Sequence, residues 1–230
     1  MNPEHLICDT DVLLQLFIAR QGRLLSYLQQ AYAVSLAIVP EVETEVSWNR
    51  RYRSRFEPVL VRHMQHGAII VLEAPEIARL LRARDRTPPQ VDQELADLHE
   101  RSRRYARHVG RGEAYSHAAG VALELPVFSH DWSAVTVLEA IPEPVAVPVL
   151  RVWDLVALAF DDGAVTVADI DHAVNLLRRE NEVVPAFLAK SPGEAIRRYD
   201  SRLRRVVPGG TPARPRQAKD RLFLAPVQTS

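Results

Sequence analysis

The chain has 230 residues, 47% of them hydrophobic and 25% charged, which is enough apolar material for one full core plus appendages. The single cysteine, Cys8, excludes an internal disulfide and a cysteine metal cluster, and no run approaches the ~18 apolar residues that a membrane span needs. The net charge of zero hides a split: from Arg197 onward nine basic residues face two acids, so the body before them is acidic to the same degree, and the basic end suits a polyanion or an acidic partner.

The first residues carry no basic segment ahead of a long apolar stretch, which leads us to expect a cytoplasmic protein with no membrane partner. Residues 6–8 form a short apolar run that predicts a buried strand, and Asp9 follows it directly. A strand's carboxyl end is where α/β folds place ligands, but Asp9 or Asp11 serves equally well as the cap of the helix predicted over 11–19. A second helix is predicted over 22–32, then a strand at 37–39. One long helix is predicted over 40–66, opened by Pro40. On it Glu41 and Glu45 share a face that Glu43 does not, and Glu41 also complements the positive helix start.

A strand at 68–72 comes next, followed by helices over 75–83, 89–108 and 111–123. Glu113 opens the last of these after Gly110-Arg111-Gly112, where a carboxylate also steadies the helix dipole. The strand at 126–128 leads through Ser129 and His130 to Asp131, in the same strand-end position as Asp9, ahead of a helix predicted over 133–140. A last strand at 145–150 and helices over 152–160 and 166–178 complete the pattern, the final helix opened by Thr166 with Asp169 three residues on. Strands alternating with helices predict an α/β three-layer sandwich with a mostly parallel sheet of about five strands flanked by helices. Residues 1–190 are expected to form this domain. Residues 191–230 are expected to be a basic, Pro/Arg-rich extension, partly mobile because the Pro-Gly-Gly-Thr-Pro run from Pro208 cannot propagate a helix or a central strand.

Four short motifs give the acids a common reading. Ile7-Cys8-Asp9-Thr10-Asp11-Val12-Leu13-Leu14, Pro40 followed by Glu45-Val46, Gly112-Glu113-Ala114 and Val127-Phe128-Ser129-His130-Asp131 together resemble the PIN-domain nucleases, particularly VapC-like toxins, over about residues 5–180. The resemblance implies that Asp9, Glu45, Glu113 and Asp131 line one Mg²⁺ or Mn²⁺ site, to which Asp11 could add a ligand or beside which it simply caps a helix. It favours Glu45 over Glu41 because the family places an apolar residue straight after the acid. It also implies an endoribonuclease that is the toxin of a toxin-antitoxin pair, a homodimer acting on RNA such as tRNA, with a cognate antitoxin protein as partner. The chain departs from the family at Asp11, where many relatives have Asn or Ser, and at His130.

The chemistry fits these residue types. Hard divalent cations prefer oxygen ligands, and a bound ion lowers the pKa of its water and offsets charge on a departing oxygen. Crowded carboxylates repel one another, so at least one raised pKa is expected in the metal-free site. Two basic clusters, one with Arg50, Arg51, Tyr52 and Arg53 and one with Arg104, Tyr105, Arg107 and Arg111, could contact phosphates, with Tyr52 or Tyr105 stacking on an unpaired base. The arginines of the second cluster follow helical spacing. Either cluster also reads as a solvated charged face. Two other classes stay open: a catalytically idle PIN-like module binding RNA or protein, and a haloacid-dehalogenase-like phosphatase. The phosphatase class needs a mid-chain cation, usually lysine, and the two lysines, Lys190 and Lys219, lie beyond the α/β region.

Overall fold

The computed structural model describes residues 4–48, 53–130, 136 and 147–207. Five short strands, β1 His5–Cys8, β2 Ser35–Ile38, β3 Ile69–Val71, β4 Val127–Phe128 and β5 Val149–Leu150, form one sheet. The order is β3-β2-β1-β4-β5 and every pairing is parallel. Buried on both sides, such strands are read from continuous apolar runs such as Leu6-Ile7-Cys8, all fully inaccessible to solvent.

The helices are α1 Thr10–Ile18, α2 Arg23–Tyr32, α3 Pro40–Trp48, α4 Arg53–Gln65, α5 Ala74–Arg82, α6 Pro88–Tyr105 and α7 Arg111–Leu123 before β4, and α8 Val152–Asp161, α9 Val167–Arg179 and α10 Pro192–Arg198 after β5. Their contacts divide them into two layers. α1 touches α4, α8 and α9, and α2 touches α8, while α5, α6 and α7 pack together with α7 against β1 and β4. The result is a three-layer α/β sandwich. α3 touches both α1 and α7 and so joins the layers at the edge where β2 ends.

Of the helix expected over 40–66, the described residues form α3 and α4, and residues 49–52 between them lie outside the described set. The helix expected over 133–140 also lies outside it, apart from Thr136, which is helical.

The larger difference is at the C-terminal side of the expected boundary at 190. α10 and a 3-10 turn, Leu203–Arg205, return to α8, burying Ile196, Tyr199, Leu203 and Val207 in the same core as the sheet. The fixing point is Asp154 in the first turn of α8, 1% exposed, whose carboxylate accepts the backbone N–H of Arg151 at 2.8 Å and of Arg202 at 2.7 Å. Ser201 Oγ donates to the Asp154 carbonyl at 2.6 Å. Part of the basic end is thus paired within the fold: Arg204 reaches Asp162 at 2.9 Å and Asp161 at 3.5 Å, and Arg205 reaches Asp200 at 2.6 Å. Residues 208–230 lie outside the described set.

Candidate active site

The strand order reverses at β1. The chain runs from β1 outward to β2 and β3, then returns to the other flank for β4 and β5, which puts the switch point of the sheet at the carboxyl ends of β1 and β4. Asp9 is the first residue past β1. Its N–H continues the ladder, donating to the Phe128 carbonyl at 3.0 Å, and the register of Cys8 with Phe128 sets Asp9 level with Ser129.

Asp9 is 3% exposed and caps α1, its Oδ1 accepting the Val12 N–H at 2.9 Å. Ser129 Oγ and the His130 backbone N–H also hydrogen-bond to this carboxyl. Burial pushes its pKa up to about 7, Asp11 adds in the same direction, and the three hydrogen bonds offset part of the rise. A raised pKa was expected from repulsion among crowded acids. The larger cause is desolvation, with Asp11 the acid that contributes.

Ser129 is 1% exposed, and its Oγ lies 3.0 Å from Glu113 Oε1, to which it donates. One hydroxyl, with a single proton to donate, therefore stands within hydrogen-bonding reach of two carboxyl groups that come from the first and third sequence motifs. Glu113 occupies the first turn of α7, where the helix's positive end favours its charge.

Glu45 is brought alongside by its own contacts. It accepts the hydroxyl proton of Thr10, the residue after Asp9, and the Gly112 N–H at 3.2 Å, the residue before Glu113. A Cβ at Gly112 would fall 2.8 Å from Glu45 Oε2 and 2.9 Å from Oε1, so only glycine permits this approach. Glu41, the alternative second acid, lies one turn earlier and faces Tyr115, whose hydroxyl pKa it helps raise after the larger effect of burial.

The structure therefore gathers Asp9, Glu45 and Glu113 around the ends of β1 and α7, with Asp11 close to Asp9. Asp131 lies outside the described residues, as do Arg50, Arg51 and Tyr52. Among the described residues no group of three or more acidic, histidine or cysteine side chains is arranged to hold a metal ion. The donor chemistry nonetheless fits a hard cation: the oxygens are carboxylate and hydroxyl, and the buried Asp9 group carries a raised pKa that a cation would relieve.

Two expectations for the basic clusters are corrected. Tyr105 is 2% exposed and part of the hydrophobic core, so its ring is not presented to a base. Arg104, Arg107 and Arg111 are exposed but do not share a helix face, because α6 ends at Tyr105, Arg107 falls in the turn after it and Arg111 begins α7. Arg53 is exposed at the start of α4 and pairs with Glu57 at 3.2 Å.

The residues that sequence reasoning did not weigh as part of the site are Thr10, Gly112 and Ser129. Thr10 and Gly112 stand next to an acid and Ser129 two residues before one, which was their only signal, and their roles depend on strand register and helix approach. No family model, curated protein or solved structure matches the chain.

Proposed function

We propose that the chain is a Mg²⁺- or Mn²⁺-dependent endoribonuclease, with Asp9 and Glu113 as the central ligands and Glu45 and Asp131 completing the set. The observation that carries this reading is the Ser129 hydroxyl shared by Asp9 and Glu113 at the switch point of the sheet. Acids placed there by parallel strands and a helix start, one of them buried and hard to ionise, form a site whose charge calls for a cation. A bound ion would supply an activated water and offset charge on the departing oxygen. Ser129 holds Glu113 and Asp9 in place, Thr10 and Gly112 hold Glu45, and no protein nucleophile is required. The resemblance to VapC-like toxins supports the further reading of a homodimeric toxin with a cognate antitoxin, acting in the cytoplasm on RNA such as tRNA.

A second reading has its own support. Both Glu45 oxygens are engaged by protein donors, and no three-acid group is set for a metal among the described residues, as an idle PIN-like binding module would have it. The test is to titrate Mn²⁺ into the wild type, Asp9→Asn and Glu113→Gln by calorimetry and to incubate each with total RNA. The nuclease reading expects metal binding and cleavage by the wild type, each reduced at least about tenfold in both variants, as loss of a ligand worth ~1.4 kcal/mol or more requires. A wild type that takes no Mn²⁺ at millimolar concentration belongs to the idle module.

A further inference from the structure

The amino ends of the strands, at the far end of the sheet from Asp9 and Ser129, border a cavity of about 380 Å³. His5, which opens β1, lines it together with Pro126 and Pro148, which precede β4 and β5. The ends of α5 and α7 and the 3-10 turn Leu203–Arg205 complete the wall, where Leu80, Leu123, Leu125 and Val206 present apolar surface. A space of this size, largely apolar with a few polar groups converging on it, is the kind that small ligands occupy. His5 adds no charge at neutral pH, because burial lowers its pKa, and neither of its ring nitrogens has a hydrogen-bond partner or reaches water.

The charged groups in the lining are of both signs, Glu4 and Glu124 against Arg84 and Arg205. Arg205 is answered by Asp200 at 2.6 Å. Arg84 is not. Its side chain is 25% exposed, and its ion pair with Glu124 spans 3.7 Å, too long for a hydrogen bond. The guanidinium and the carboxylate thus keep hydrogen-bonding capacity unused, and both line the same cavity. A simple anion entering here meets Glu4, Glu124 and the negative ends of α5 and α7, and a simple cation meets the two arginines. A molecule with a carboxylate and an ammonium on one carbon meets neither difficulty. Its carboxylate accepts from Arg84, its ammonium donates to Glu124, and the four charges alternate around a closed ring.

We infer that this cavity binds a free α-amino acid with an apolar side chain, the head group bridging Arg84 and Glu124 and the side chain lying against Leu80, Leu123, Leu125 and Val206. The site is separate from the carboxylates at the other end of the sheet, and the inference does not rest on the nuclease reading.

The test is calorimetric titration of the full chain with leucine, methionine and phenylalanine up to tens of millimolar. Saturable binding of at least one of them is expected. Glycine, which lacks the side chain, and the matching acid and amine, which each lack one charge, are expected to bind at least about tenfold more weakly. Arg84→Ala is expected to weaken the amino acid to the same degree. Glu124→Gly is expected to do so as well while leaving the matching acid undiminished, and glycine suits the left-handed backbone at this position, φ 48°. Cooperative thermal unfolding without ligand checks that both variants are folded, and Arg84→Gln replaces Arg84→Ala should the latter fail. Three amino acids that all leave the protein untouched overturn the inference. So does an acid or an amine that binds as tightly as its amino acid, or an affinity that either folded variant leaves unchanged.

Discussion

One oxygen of Asp9 holds the Val12 N–H at the start of α1, and burial keeps the group protonated up to about pH 7. In the unfolded chain the same carboxyl ionises near 3.8, so between about pH 4 and pH 7 folding takes up a proton and stability falls as the pH rises. Asp9→Asn keeps a carbonyl oxygen for the cap and cannot ionise. It is expected to be more stable than the wild type above pH 7, by at most about 4 kcal/mol, with the gap closing toward pH 4. Urea unfolding across that range measures it, and a variant less stable than the wild type at pH 8 would show that the carboxylate is well accommodated in its ionised form. The same substitution removes a proposed metal ligand, so stability and metal affinity are expected to move in opposite directions at this one residue.

At the level of elements, the junction of α3 with α7 is set by the absence of a side chain at Gly112. Gly112→Ala meets only the far end of Glu45, so the fold is expected to hold, with stability within about 1 kcal/mol of wild type given alanine's better helix propensity. Glu45 must turn away, and Mn²⁺ affinity and RNA cleavage are expected to fall. Unchanged cleavage by a folded Gly112→Ala protein would remove Glu45 from the site.

Much of this layer was legible beforehand. The apolar runs and strand-end aspartates predicted the strands and placed Asp9, and the Gly110-Arg111-Gly112 lead-in marked the start of α7 at Arg111. The shared Ser129 hydroxyl and the Thr10 contact could not be read at all. They follow from the register of β1 on β4 and the approach of α3 to α7, which are properties of pairing and packing and leave no local pattern.

Across the whole molecule, the C-terminal segment was misread by composition. Its arginines drew attention away from the apolar spacing of Ile196, Leu203 and Val207, which closes the core over α8. Asp154→Ala would leave the Arg151 and Arg202 N–H groups without their acceptor, at about 1–3 kcal/mol each. Thermal unfolding is expected to shift down accordingly, and limited trypsin digestion to cut faster at Arg202, Arg204 and Arg205. An unchanged digestion pattern would mean that the apolar contacts alone hold this segment.

The strand order carries one last consequence. The first of the five strands to be synthesised is the central one, and its neighbour on the β4 side follows more than a hundred residues later. Until then Asp9 has no Phe128 carbonyl beside it, and Ser129 cannot link it to Glu113. A nascent fragment that stops short of β4 therefore carries Asp9, Glu45 and Glu113 without the pairing that joins them.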